Sequence, residues 1–280
     1  MKLGAKALAG VPFSKAQLDA LYRAIQVNDV IDEDAQLPAA VTSHFTQDQL
    51  INGFRISRQL WREGFDPDVL IALVEKVGSG VEFGEHDRMA FKHIRAKFKH
   101  LRFAFVLYCD NHRCPTVFKA LTTSMGHLQD AFKGADLRAV RRNAAVSKLL
   151  LTLLPQLILN REVNRLTPCE PGAYRQFVSE QMAAMRFMLE KDALTGHQFH
   201  AARKIVSRQV SFHDDMRTIS PSPEDAAMSR YLGTINGLMG QYHDGLVLKR
   251  ATGELDYART GFELPATIRQ RLETLVNFYS

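Results

Sequence analysis

Positive charge is concentrated in one short stretch of the chain, residues 91–102, which reads FKHIRAKFKHLR. Five Lys or Arg and two His fall within these twelve positions, and the nearest acidic residues are Asp87 and Asp110. Helical sequences usually offset such repulsion with a carboxylate one turn away. Because none is present here, the residue types suit contact with a polyanion, whose oxygens would supply the missing negative charge.

A helix over this stretch would carry an apolar stripe and a cationic stripe side by side. The spacing predicts a buried packing seam, formed by Phe91, Ile94, Phe98, Leu101 and Phe105. The same offsets shifted by one residue give a cationic row within an arc of about 80°; it consists of Lys92, Arg95, Lys99 and Arg102. The alternative interpretation is a solvated basic face whose side-chain stems cover the edge of the core.

A second, weaker cationic row occurs in residues 199–212, which read FHAARKIVSRQVSF. Its members are His200, Arg203, Lys204 and Arg208, and no acid occurs between Asp192 and Asp214. Each row is followed by a turn and a helix of similar composition, at 124–140 and at 235–247. Two similar units of this kind indicate an internal duplication.

At these residues the chain resembles the conserved-histidine α-helical domain (CHAD) family, as an atypical stand-alone member. The family pattern is a helix that contains His-x-x-Arg, followed by a second helix that carries a leucine, a glycine or glutamine, and an aspartate. The whole unit occurs twice. HAARKIVS and INGLMGQYHDGLV supply the second unit, with His200, Arg203 and Gly240 among the matches. KHIRAKFKHLR and LQDAFKGAD supply the first, so the resemblance spans 86–250.

Three positions depart from the family pattern. Lys92 stands where the first histidine is expected, and Ser207 and Val210 replace basic residues of the second row. A competing register would place Arg55 and Arg62 in the first basic motif instead of Arg95 and Arg102.

The resemblance implies an all-α protein with two pseudo-symmetric helical bundles and a basic cleft or pore between them. It implies non-catalytic binding of inorganic polyphosphate or a similar polyanion, with no metal and no cofactor. The corresponding division is a first repeat at 86–192 and a second at 193–280. Residues 1–85 form an N-terminal helical region that either completes the first bundle or stands apart from it.

Two other functions fit parts of the sequence. The chain contains three His-Asp dipeptides, which begin at His86, His213 and His243. Such dipeptides are typical of all-α metal-dependent phosphohydrolases, although these enzymes need several ligands that converge on one metal. Non-specific nucleic-acid binding also fits a basic face, but the Phe residues fall on the packing seam rather than among the cations, which disfavours a stacking platform for single strands.

Helical periodicity dominates the chain and predicts about ten helices without a sheet. The formal net charge is +6, hydrophobic residues make up 46%, and the three cysteines show no disulfide or zinc spacing. The longest apolar run, LLLTLLPQLIL at 149–159, is too short to cross a bilayer and predicts a buried helix. We therefore expect a cytoplasmic protein without a membrane partner, with polyphosphate granules as a place of association.

Overall fold

The computed structural model describes residues 8–40, 45–80, 82–257 and 259–279. Within these ranges the fold is all-α, as predicted, and the only β-type pairings are the isolated bridges Cys109–Pro168 and Leu194–Phe262. The helices are α1 (Lys15–Gln26), α2 (Gln47–Glu63), α3 (Pro67–Ser79), α4 (Glu85–Tyr108), α5 (Thr116–Lys133), α6 (Leu137–Leu150), α7 (Leu153–Val163), α8 (Pro171–Leu189), α9 (Gly196–Ile219), α10 (Pro223–Ala251) and α11 (Ala266–Phe278).

The chain divides into two compact units. Unit one comprises Met1–Tyr22 and Leu50–Cys169, and unit two comprises Arg23–Gln49 and Glu170–Ser280. The compact units thus divide the sequence at Cys169 rather than at residue 192, and the N-terminal region of 1–85 contributes to both. Residues 1–7 of that region lie outside the described ranges. The division into repeats at 86–192 and 193–280 is inferred from an internal duplication, and it stays a prediction.

The core of unit one is built around α4. Its five predicted seam residues are all buried, so the periodicity of this helix identified its packing face correctly. Phe98 stacks on Phe118 of α5 at 5.6 Å between ring centroids, and Trp61 of α2 meets Phe98 edge-on at 5.6 Å. Aromatic rings in this arrangement bury large apolar areas and fix the positions of the helices. The cationic row next to the seam is therefore held on a rigid element.

Unit two is built around the long pair α9 and α10. Helix α9 begins at a capping box, in which the Thr195 hydroxyl accepts from the Gln198 backbone N–H and the Gln198 side chain accepts from the Thr195 N–H. This reciprocal pair satisfies two backbone donors that a helix start otherwise leaves open. Phe199 follows at once and is fully buried. The start of the second cationic row is thereby fixed in position.

Buried polar side chains join α9 to α10. Asp214 is fully buried, accepts from the Ser229 hydroxyl at 2.6 Å and pairs with Arg217 at 3.1 Å. His213, also buried, lies 2.7 Å from an oxygen of Asp225 through its Nδ1 atom. Buried charge is tolerated when it is paired and hydrogen-bonded in this way. These residues hold the C-terminal half of α9 in place.

The prediction of a buried helix at 149–159 is wrong. Helix α6 ends at Leu150, and α7 begins at Leu153, so the run is divided between two short helices. Leu149, Leu153 and Leu154 are 65%, 76% and 70% exposed. Pro155 lies in the first turn of α7, where its missing N–H costs nothing. No helix among the described residues is long and apolar enough to cross a membrane.

We predict that Asp214→Asn lowers the free energy of unfolding of unit two by about 2 kcal/mol. The amide keeps the volume and can still accept from Ser229, but it leaves Arg217 without its carboxylate partner. Urea denaturation monitored by circular dichroism measures the loss. The control is Asp192→Asn, because Asp192 is exposed, and its effect should stay within about 0.5 kcal/mol. Equal effects of the two substitutions would contradict the assigned role.

Candidate functional site

The first cationic row lies along α4 in unit one, at graded depths. Lys92 is exposed, whereas Arg95, Lys99 and Arg102 are partly buried. Lys92 stands at the edge of a mainly apolar cavity of about 130 Å³ that Phe83, Leu128 and Phe132 help to line. The Nζ atom of Lys99 lies 5.6 Å from the centroid of the Phe103 ring. Apolar groups therefore partly shield the row from water, and such shielding strengthens electrostatic interactions.

Two arginines of this row lie against α5. The Nη1 atom of Arg102 donates to the Thr123 hydroxyl at 3.0 Å. The guanidinium of Arg95 lies so close to Gly126 that a Cβ atom at this position would come within 3.3 Å of Arg95 Nη2. A glycine here lets the planar guanidinium lie next to the surface of α5, where a larger side chain would stand in its place.

The same arrangement occurs in unit two. Arg203 of α9 lies against Gly240 of α10, and a Cβ atom on Gly240 would come within 3.1 Å of Arg203 Nη2. Both arginines follow a buried phenylalanine by four residues, and both glycines follow a buried methionine directly. We call these two contacts the arginine–glycine seats. Their recurrence supports the predicted duplication.

His200 and Lys204 flank the seat of unit two. Both are exposed, and the His200 ring lies 6.3 Å from that of His243 on α10, measured between centroids. Partial desolvation first, and then the neighbouring cations Lys204 and Arg203, lower the pKa of His200 to about 4. His200 is thus neutral at pH 7 in the unliganded protein. An anion bound here would raise this pKa, so binding would be accompanied by proton uptake at pH values between the free and bound pKa of His200.

Arg208, also placed in the second row by the sequence, has a different environment. Its Nη2 donates to Gln181 Oε1 of α8 at 2.6 Å, and its Nε donates to the Lys204 carbonyl at 3.0 Å. The guanidinium lies 5.9 Å from the centroid of the Phe177 ring. Burial lowers the pKa of Arg208 to about 10. Arg208 therefore links α9 to α8.

The competing register for the first motif also has a structural role. Arg55 donates to the Val11 carbonyl at 2.9 Å and to Asn52 at 2.7 Å, and it lies over the Phe13 ring. These contacts hold the N-terminal segment on α2. Arg55 also lies against a glycine, Gly10, but this glycine is outside any helix. In the register through Arg95 the glycine lies within a helix and directly follows a buried methionine, as it does for Arg203, and this similarity favours that register.

Two features of the site were missed by the sequence interpretation. One is the role of Gly126 and Gly240 as the surfaces on which the arginines lie, and the other is the proximity of His243 to His200. A signal for the first was present, because Met-Gly is followed four residues after the glycine by an aspartate in both units, at Asp130 and Asp244. A glycine inside a helix often marks a close approach of this kind.

The His-Asp pairs proposed for a metal enzyme are spread over separate environments. His213 contacts Asp225 and the hydroxyl of Tyr279, and Asp214 contacts Ser229. His86 is almost fully exposed, and its neighbour Asp87 pairs with Lys76 at 2.7 Å. Across the described ranges, no group of three or more His, Cys, Asp or Glu could hold a metal ion.

Comparison of the chain with protein-family models, with curated proteins and with solved structures found no match.

We predict that His200 titrates with a pKa of about 4 in the free protein. The histidine resonance missing from the NMR spectrum of His200→Gln identifies the group, and a pH titration measures its pKa. Lys204→Gln should raise this pKa, because it removes a nearby positive charge. The control Lys133→Gln removes an exposed lysine of unit one and should leave it unchanged. A His200 pKa near 6.5 would contradict the described environment.

Proposed function

We propose that the protein binds inorganic polyphosphate, or a polyanion of similar charge density, through the cationic rows of α4 and α9, without catalysing a reaction on it. The observation that carries the proposal is the pair of arginine–glycine seats, one in each unit. In unit one Lys92 and Lys99 lie about one turn from the seated Arg95, and in unit two Lys204 is next to the seated Arg203. A phosphate chain repeats its oxygens at short intervals, so it can contact several such groups together.

The chemistry of the rows matches phosphate oxygens rather than a nucleotide base. Arginine forks bind phosphate through two parallel N–H···O bonds, and lysines act as point charges. Among the described residues no carboxylate pairs with Arg102, whose side chain donates to the Thr123 hydroxyl instead. Its charge is therefore positioned without being neutralised, and it is available to an external anion.

The packing of α4 supports polyphosphate over single-stranded nucleic acid. Phe91, Phe98 and Phe105 are buried in the core, so they offer no ring faces to unstacked bases. The partly buried Phe103 lies 5.6 Å from Lys99 Nζ and is the one phenylalanine of α4 beside the row. Proteins that bind single strands without sequence preference combine cationic grooves with exposed aromatic side chains. That both rows line one groove remains a prediction of the family resemblance.

We predict that Arg95→Glu combined with Arg203→Glu weakens binding of long-chain polyphosphate about 100-fold at physiological salt. The control is Arg113→Glu with Lys249→Glu, which changes the net charge equally through one exposed residue in each unit. Isothermal titration calorimetry measures both affinities, and circular dichroism verifies the fold. Similar losses in the two double variants would show that net charge alone governs binding.

The same titrations with duplex DNA as competitor, at matched phosphate and salt concentrations, separate the ligands. Polyphosphate should displace the DNA. The affinity of the wild-type protein for polyphosphate should fall steeply between about 50 and about 200 mM salt, because counterion release then contributes less to binding. Stronger binding of DNA than of polyphosphate would reject the proposal in favour of a nucleic-acid ligand.

We also predict that Gly126→Leu and Gly240→Leu each weaken polyphosphate binding about tenfold without changing the charge. The leucine side chain would occupy the place of the guanidinium, so the arginine would lose its fixed orientation. The control is Gly245→Leu, because a Cβ atom at this exposed position of α10 meets nothing within 4 Å. Unchanged affinity in the first two variants would mean that the seats do not position the arginines for binding.

A further inference from the structure

Helices α6 and α7 of unit one present a cluster of exposed aliphatic side chains. We call it the α6–α7 apolar face, and its members are Val146, Leu149, Leu153, Leu154, Leu157 and Ile158. Their exposed fractions range from 43% for Val146 to 76% for Leu153. Single exposed aliphatic residues are ordinary, but a contiguous group marks a surface that contacts something apolar.

The face is opposite the side on which these helices pack. Helix α7 buries Leu159 and Val163, and Leu154, Leu157 and Ile158 project from the other side at helical spacing. Leu149 and Leu153 stand on either side of the break between the two helices. The high exposed fractions of these leucines are typical of side chains that protrude from the surface.

Arginines accompany the apolar side chains on the same surface. On a helical wheel Arg142 projects between Val146 and Leu149, and Arg161 projects between Leu154 and Leu157. Arg138 and Arg165, at the start of α6 and just beyond the end of α7, are also exposed. Within the part of the chain that the structure describes, none of these four arginines belongs to an ion pair.

The acidic residues close to this surface are engaged elsewhere. Glu162 accepts from the backbone N–H groups of Val117 and Phe118, at 3.1 and 2.9 Å, and so caps the start of α5. Asp136 caps the start of α6 by accepting from the Ala139 N–H. Between Asp136 and Glu170 the sequence contains six Lys or Arg and only one acid, Glu162. Of the six, Lys148 pairs with Glu75 of α3 at 2.6 Å, which leaves five arginines. The α6–α7 apolar face is therefore bordered by positive charge.

We propose that the α6–α7 apolar face docks the protein onto an anionic lipid bilayer. The aliphatic side chains enter the boundary between headgroups and acyl chains, and the arginines contact the lipid phosphates. A fluid apolar phase accepts protruding side chains one by one, whereas a folded partner would need a matching set of cavities. A second copy of this chain would bring the two sets of arginines together, and their repulsion would oppose pairing.

Docking of this kind requires no membrane-spanning helix, because the protein lies on the surface of the bilayer. The face contains no residue of the cationic rows on α4 and α9. Vesicle binding therefore tests this inference independently of polyphosphate binding.

The test is sedimentation of the full chain with lipid vesicles in the absence of polyphosphate. The protein should bind vesicles of phosphatidylcholine with phosphatidylglycerol, bind pure phosphatidylcholine at least tenfold more weakly, and lose affinity as salt rises. Leu153→Ser with Leu154→Ser should reduce binding at least tenfold, and so should Arg142→Glu with Arg161→Glu. The control, Leu137→Ser with Val69→Ser, removes two exposed aliphatic side chains elsewhere in unit one and should bind like wild type.

A tryptophan at position 154 reports insertion directly. The chain has one tryptophan, Trp61, which is only 5% exposed, so the wild-type protein supplies the background emission. In Leu154→Trp, vesicles should shift the added emission to the blue, and brominated lipids should quench it. Arg95→Glu with Arg203→Glu should leave vesicle binding unchanged.

Three results would overturn the proposal. They are the absence of vesicle binding, binding that survives Leu153→Ser with Leu154→Ser, and a concentration-dependent dimer that this same variant dissociates. The third would assign the face to self-association.

Discussion

A charged guanidinium held against the backbone of a neighbouring helix is the constraint on which the functional interpretation depends. Arg95 and Arg203 lie on the same helices as buried phenylalanines, so their backbones cannot move away from the core. At Gly126 and Gly240 the neighbouring helix carries no side chain, so the guanidinium lies directly against it. The result is a cation whose position is set by packing, against α5 in unit one and against α10 in unit two. Fixing a side chain before binding reduces the entropy lost when the ligand arrives.

The cations of the two rows and of the competing register do not all serve the same purpose. Arg208 is bound to Gln181 and to its own helix, and Arg55 is bound to the N-terminal segment. A guanidinium with five donors can satisfy backbone and amide acceptors inside the protein as readily as it binds phosphate. Positive charge in a sequence therefore marks candidates for anion binding, and the contacts of each side chain decide which candidates remain available.

The polar residues of unit two show a similar distinction for histidine and aspartate. His213 and Asp214 are adjacent in the chain, yet each is satisfied by a different partner, Asp225 for the first and Ser229 for the second. They stabilise the packing of α9 on α10 from a fully buried position. The side chain of His200 is at the surface, and its partial desolvation and then the neighbouring cations lower its pKa to about 4. Burial and neighbours, rather than residue type, separate the structural histidine from the one suited to a ligand.

The sequence by itself determined the all-α class, the approximate helices and the buried seam of α4, because helical periodicity is a local property that neighbouring residues reveal together. It also identified the two cationic rows. Only the tertiary structure decided that residues 23–49 belong with unit two, that Arg208 is tied to α8 and that the aliphatic residues from 149 to 158 are largely exposed. These outcomes depend on which helices pack against each other. A pattern of apolar residues indicates that burial of a helix face is favourable, but it does not indicate what will cover that face.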